Sequence, residues 1–351
     1  MNYNARNAKD YGTKSIIRDL RDKHVQEDDI PPSKLIQNFI YCYRKKWGSS
    51  NSIVNAENML RSIVFQDSEH GLDDVFVYGY DVNDSGMLVL GDGSIRCPCY
   101  AAFSTKRMIQ VIQHAIAFPL PVVLHIDATF KLNENEFPFI VLGITDARQQ
   151  FFPLAFAVVS SINQEMNRRV LLDFKCLVAS VCNGLNFKPN YVMIDADAAE
   201  RNACIEVLGL EEHQVLVCFF HVQKNVKEKS RRYSAEIQLS ILSDVRLLRN
   251  ATSMHGYQDK WREIKSKWLN NNLVEFATYF ESQWMNGGFK NWCIWNSFPG
   301  VAGTNNALES FNNVLKRTYT QRNRHSMTTF FAMIINHIAR DCSLDLINKK
   351  R

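Results

Sequence analysis

The stretch Val122–Lys131 reads VVLHIDATFK, a β-branched apolar run with one carboxylate, Asp127, set inside it. A strand this apolar belongs within a sheet covered on both faces. An ionised carboxylate there is costly unless a cation or hydrogen bonds compensate it. Whatever fold the chain adopts must therefore bring Asp127 a partner, and the remaining sequence has to contain it.

Taken in order, residues 1–30 are polar, without apolar periodicity, and read as a linker or frayed terminus. Pro31-Pro32-Ser33 opens a helix with Ser33 as N-cap and Leu35, Phe39 and Tyr43 as its apolar face. A second helix runs from about Ser52 to Phe65. Alternation at Val75, Val77 and Gly79 and around Met87–Leu90, joined by Asn83-Asp84-Ser85-Gly86, predicts a β-hairpin. Thr105 to Phe118 reads as a helix ended by Pro119. Three strands follow, Val122–Lys131, Phe137–Thr145 and Phe151–Val159, with links short enough for antiparallel neighbours. Ser161-Ile162-Asn163-Gln164 fits a capping box for a long helix buried along Met166, Val170, Phe174, Leu177 and Val181, with Gly184 as its C-cap. Tyr191–Ile194 is a strand running into Asp195-Ala196-Asp197 and a helix; Val215–Phe220 is another strand, reaching Cys218-Phe219-Phe220-His221.

Residues 222–300 change character, with no strand signal and five of the six tryptophans. Leu273, Phe276, Phe280 and Trp284, like Trp261 and Trp268, have helical spacing and read as a core rather than a stacking platform. Asn305-Asn306 caps a helix from Ala307 to about Tyr319, and Thr328–Ile338 forms the last. The expectation is an α/β fold: a mixed sheet of three antiparallel strands then parallel βαβ units, with helices on both faces. It divides into an N-terminal helical and hairpin region (1–104), a core (105–221), an all-helical insertion (222–300) and C-terminal core helices (301–351).

Two further acids join Asp127 at element boundaries: Asp195 ends the fourth of these strands, and Glu309 lies in the first turn of the helix after the insertion. Strand ends and adjoining helix N-termini are where α/β folds build sites. Two aspartates and a glutamate that converge can hold two divalent cations ~4 Å apart, and hard oxygen ligands favour Mg²⁺ or Mn²⁺. Each acid also has a plainer reading. Asp127 can accept backbone hydrogen bonds, Asp195 or (preferably) Asp197 can cap a helix, and Glu309 stands three residues after Asn306 at capping-glutamate spacing. Asn312, Asn313 and Lys316 follow Glu309 at i+3, i+4 and i+7 and are candidate phosphate contacts or simply a polar face, with Phe311 and Leu315 on the buried side. His125 shares the strand face of Asp127 and reads as a satisfied core histidine, or as one bonded to the site. Cys218 and His221 make half of a zinc-binding spacing, and packing or orientation of the site's edge is the better reading.

Nine cysteines without a framework spacing, and a first stretch MNYNARNAKDYG lacking an apolar core, point to reduced thiols in a cytosolic or nuclear protein. The longest apolar runs are too short to span a bilayer. The net charge of +5 permits a nucleic-acid partner without requiring one, and the basic clusters Arg44-Lys45-Lys46, Lys227–Arg232, Lys316-Arg317 and Lys349-Lys350-Arg351 read singly as solvated faces.

HIDATFK with the strands after it, VMIDADAAERNA, VCFFHVQKN and GTNNALESFNNVLKR together resemble the transposase domain of Mutator-like elements (MULE), over roughly Phe103 to Ile338. The resemblance implies an RNase H-like fold with a DDE triad at Asp127, Asp195 and Glu309, and a helical insertion before the glutamate. It implies two Mg²⁺ or Mn²⁺ ions, with Asp127 bridging them and Asp195 and Glu309 holding one each. DNA strand cleavage and strand transfer at terminal inverted repeats and target DNA, in the nucleus, would be the activity, with a homodimer or larger assembly expected by analogy. Cys218 and His221 match the family's C-x-x-H motif. The sequence departs from the family in lacking the spacings of a leading zinc finger and a trailing SWIM-type motif; Cys97-Pro98-Cys99 is its one close cysteine pair. Two other readings remain open: a domesticated, non-catalytic DNA-binding or regulatory protein, and an RNase H-like nuclease acting on RNA or hybrids.

Overall fold

A computed structural model describes residues 52–146 and 148–348, residues 29–37, and the isolated positions 17 and 26. Phe39, Tyr43, the Arg44-Lys45-Lys46 cluster and the terminal basic residues lie outside the described residues. Within 29–37 the helix begins at Ser33 itself, Pro32 accepts its first backbone bonds, and Ile36 is buried while Leu35 is exposed. Of the expected apolar face only Leu35 is among the described residues.

The centre is one eight-stranded sheet, ordered β2-β1-β3-β6-β5-β4-β7-β8. These strands are β1 (Phe76–Val82), β2 (Leu88–Val89), β3 (Tyr100–Ser104), β4 (Val123–Thr129), β5 (Phe139–Thr145), β6 (Phe151–Val159), β7 (Tyr191–Ile194) and β8 (Val215–Val217). β4, β5 and β6 are antiparallel, whereas β4, β7 and β8 run parallel, giving the mixed sheet expected. The β1–β2 hairpin forms where predicted: Asn83 Oδ1 accepts from the Ser85 and Met87 amides, and Gly86 takes the positive φ its turn needs. β3 was not expected from the sequence. It pairs with both β1 and β6, so the hairpin region continues the same sheet.

Helices α1 (Ile53–Arg61), α2 (Lys106–Ala117), α3 (Gln164–Val181) and α4 (Ala198–Leu208) follow the predicted segments. The cap of α3 is Asn163, whose Oδ1 accepts from the Met166 amide at 2.9 Å, rather than Ser161. β8 stops at Val217, three residues before its expected end, and Cys218 becomes the N-cap of α5 (Phe219–Lys229). The insertion then continues through α6 (Ala235–Arg249), α7 (Met254–Asn270) and α8 (Val274–Phe280). Its aromatics form a core of their own: Trp261, Trp268, Trp284, Phe276 and Phe280 are buried, with Trp268 donating Nε1–H to the buried Asp244 at 2.8 Å. Helix α9 (Asn306–Val314) runs into a π-helical turn at Leu315–Tyr319, and α10 (Met327–Met333) leads through a second such turn into α11 (Ala339–Asn348). Two apolar layers sandwich the sheet, one beneath α3 and α4 and the other beneath α9 to α11. Among the described residues no helix is long and apolar enough to cross a membrane.

Candidate metal centre

Parallel pairing of β4 with β7, and of β7 with β8, brings three strand ends together. Asp127 lies in β4, Asp195 directly follows β7, and Cys218 directly follows β8. Helix α9 reaches them from the C-terminal side. Leu308 and Leu315 anchor it in the core, and the Phe311 ring packs against Phe151 and Phe156 at centroid distances of 5.5 and 6.1 Å. That leaves Glu309 and Asn312 turned toward the sheet.

Asn312 Nδ2 donates to Asp127 Oδ2 at 2.8 Å and is itself buried. Its side-chain amide is thus committed to Asp127, whereas Asn313 is exposed and Lys316 half-buried. Burial, reinforced by the charge of Asp195, pushes the Asp127 carboxyl up to about 7, against the Asn312 bond and the His221 charge, which lower it. Glu309 is raised by burial, with Asp195 adding to the rise and His221 and Lys224 opposing it. Its Oε1 is buried without a hydrogen-bond partner, so the capping role is not what holds it. Asp195 thus acts electrostatically on both other acids. Asp197, by contrast, caps α4, accepting from the Glu200 amide at 2.8 Å.

Asn305 ties the group together. It is the positional N-cap of α9, yet its side chain does no capping. Fully buried, it accepts a hydrogen bond from His125 Nδ1 through Oδ1 at 2.8 Å, so His125 Nδ1 carries the proton. Its Nδ2 reaches Ile126 O and Asp195 Oδ1, each at 3.4 Å, and its backbone N–H donates to Cys218 Sγ at 3.2 Å. His125 is a satisfied core histidine, held neutral by burial, which depresses it to about 4; Nε2 meets Thr145 Oγ1 at 2.9 Å. It also belongs to the site, through Asn305.

His221 Nδ1 stands 2.8 Å from Asp195 Oδ1. Burial disfavours its charged form, but Asp195 and the Cys218 sulfur outweigh this and raise it to about 10. The ligand atoms of Asp195, Cys218 and His221 all lie within 4.8 Å of one another. A fourth carboxyl, Glu200 of α4, is pushed well above its usual range by burial and by Asp195, Asp127 and Asp197. Sequence reasoning missed Glu200 and the bridging role of Asn305. Glu200 sits in the turn capped by Asp197, the one local signal that it faces the strand ends.

The donor set of Asp127, Asp195 and Glu309 is carboxylate oxygen alone, with the charge of Asp195 raising the other two and one orphaned buried oxygen on Glu309. That chemistry fits a hard dication.

Residues 123–225 match the family model of the MULE transposase domain. The match spans Asp127, Asp195, Cys218 and His221, and ends before Glu309. No curated protein matches the chain.

Proposed function

We propose, from the match of residues 123–225 to the MULE transposase domain, that the chain is a DNA transposase with an RNase H-like core, using Asp127, Asp195 and Glu309 as a DDE triad for strand cleavage and strand transfer. The observation that carries this reading is Glu309. It lies outside the matched residues, yet α9 delivers it to the electrostatic neighbourhood of Asp195 with one buried oxygen unpartnered. The antiparallel β4–β5–β6 set continued by parallel β7 and β8, with a helical insertion before the glutamate, supports the same fold assignment.

The three carboxylates would hold two Mg²⁺ or Mn²⁺ ions. Bound there, such ions supply positive charge to the attacking and leaving oxygens of an in-line phosphodiester displacement. The chain's own residues set this up. Asn312 fixes the Asp127 carboxylate through Oδ2 and offsets part of its raised pKa. Asn305 holds Asp195 against β4. Exposed Lys224, whose charge acts on Glu309, and Asn313 and Lys316 on the helix of Glu309 would be the residues to meet DNA phosphates. A water or a DNA 3′-hydroxyl as alternative nucleophiles would make cleavage and transfer the same displacement. Acting on chromosomal DNA, such an enzyme would work in the nucleus.

The test is nicking and joining of DNA carrying the cognate terminal repeats, with Mg²⁺ or Mn²⁺. Activity should fall by roughly 10²–10³ or more in Asp127→Asn, Asp195→Asn and Glu309→Gln, the usual scale for losing a preorganised electrostatic partner of the transition state. An inert wild type, or variants that match it, would overturn the assignment.

A further inference from the structure

The proposed chemistry uses Asp195 but gives Cys218 and His221 no task. The ligand atoms of these three side chains all lie within 4.8 Å of one another, close enough to share an ion. We propose that Asp195, Cys218 and His221 form a binding site for a borderline-soft dication, Zn²⁺ foremost, which adjoins the carboxylate triad and shares Asp195 with it.

The backbone builds the site. Ile194 pairs with Val217, so the next residues, Asp195 and Cys218, leave neighbouring parallel strands side by side. Cys218 then caps α5, and the first helical turn brings His221 back over the same end, its amide donating to Cys218 O at 3.1 Å. The Cys-x-x-His pair, half a site in sequence, acquires its third ligand from β7.

Ligand chemistry selects the metal. A thiolate and an imidazole beside one carboxylate suit Zn²⁺ or Co²⁺, whereas Mg²⁺ and Ca²⁺ take oxygen shells. Zinc bonds of about 2.0–2.3 Å in a tetrahedron set ligand atoms roughly 3.3–3.8 Å apart. The present atoms, all within 4.8 Å of one another, need shift by no more than about 1.5 Å, the His221 Nδ1–Asp195 Oδ1 pair at 2.8 Å opening slightly to admit the ion. Thiolate and carboxylate together balance a charge of +2. Cys218 is fully buried, while the side chains of His221 and Asp195 keep 20% and 28% exposure, so a water can take the fourth position from their side. The outer shell is in place as well: the Asn305 amide donates to the sulfur, and Asn305 Nδ2 steadies Asp195. Asp195 turns Oδ1 to His221 and Asn305, which leaves its other oxygen for the triad. Filled, the site would clamp the end of β7 to the first helix of the insertion.

The site shares Asp195 with the triad, and its test reads metal binding rather than DNA cutting. The metal-stripped full chain is titrated with Co²⁺ as an optical probe, then with Zn²⁺ in competition, in the presence of excess Mg²⁺. One equivalent of Co²⁺ should produce a thiolate-to-cobalt charge-transfer band that Zn²⁺ removes and Mg²⁺ does not. The band should vanish in Cys218→Ser and in His221→Phe, and persist in Glu309→Gln. Asn305→Ala should weaken binding about 10–100-fold, the usual effect of losing outer-shell support. Absence of a band in the wild type, or its persistence in Cys218→Ser, overturns the site. Should Cys218→Ser not fold, X-ray absorption of the zinc-loaded wild type decides: a shell with one sulfur supports the site, a sulfur-free shell refutes it. A Glu309→Gln protein that binds cobalt but does not cut DNA separates this inference from the transposase reading.

Discussion

Asn305 occupies the centre of the candidate site without being one of its acids. Its side chain joins the neutral His125 on β4 to Asp195 after β7, and its amide faces Cys218 after β8. Replacing it by Ala orphans several buried groups at once, each worth about 1–3 kcal/mol. A fall of that order or more should be read as a lower denaturant midpoint. Asn312 acts on a single carboxylate. Because its hydrogen bond lowers the Asp127 pKa, Asn312→Leu should raise that pKa further and move the acid limb of the pH–rate profile to higher pH. An unshifted limb would mean that Asp127 does not titrate in the working enzyme. At this scale the aspartates were legible because each interrupts or ends an apolar strand. Asn305 and Asn312 were not, since an asparagine at a helix start reads as a cap and one on a helix reads as a polar face. Only the packing of α9 on Phe151 and Phe156 decides that both point inward.

Among the elements, the segment returning from the insertion to α9 controls where Glu309 arrives. Arg249, near the end of α6, donates to Trp292 O and to Gly303 O, the latter at 3.0 Å, and lies 4.7 Å above the Phe219 ring. Gly303 leaves room for that contact: a Cβ there would stand 2.0 Å from Arg249 Nη2, so the guanidinium would have to shift. Gly303→Ala should therefore displace the guanidinium and cost about 1–3 kcal/mol, as overpacking does. Thermal unfolding would measure the cost. Faster proteolysis between 285 and 305, with reduced DNA cleavage, should accompany it if the strap positions Glu309. The insertion's helices were legible because tryptophan and phenylalanine recur at helical spacing. The short strand β3, YAAFS, carries no alternation because both its faces are buried, and β8 is cut short where Cys218 turns its backbone into a helix cap.

At the scale of the whole molecule, the concentration of carboxylates must weigh on folding. Asp127 titrates at about 7 in the folded chain, against 3.8 for an unperturbed aspartate. Between those values the folded state holds a proton that the unfolded state has released, so stability falls as pH rises through this window. The contribution is on the order of a few kcal/mol. In the absence of divalent ions, Asp127→Asn should become progressively more stable than the wild type between pH 4 and pH 8, and Mg²⁺ should restore the wild type. Thermal unfolding of both proteins across that range, with and without Mg²⁺, would show whether the gap opens and closes. The mixed sheet was legible from the order of its segments, because short links force antiparallel pairs and helical crossovers permit parallel ones. Its extension through β3 was not, since pairing with β6 joins strands some fifty residues apart. The insertion also finishes the sheet at its other side. Val217 N–H points outward and donates to Asn291 O at 2.9 Å, while Asn291 Nδ2 returns to Val215 O and Glu212 O. One asparagine thereby seals the outer hydrogen-bonding row of β8, a row that would otherwise recruit a strand from another molecule. A chain excised of its helical insertion would consequently be sticky as well as incomplete, and self-association should set in before unfolding does.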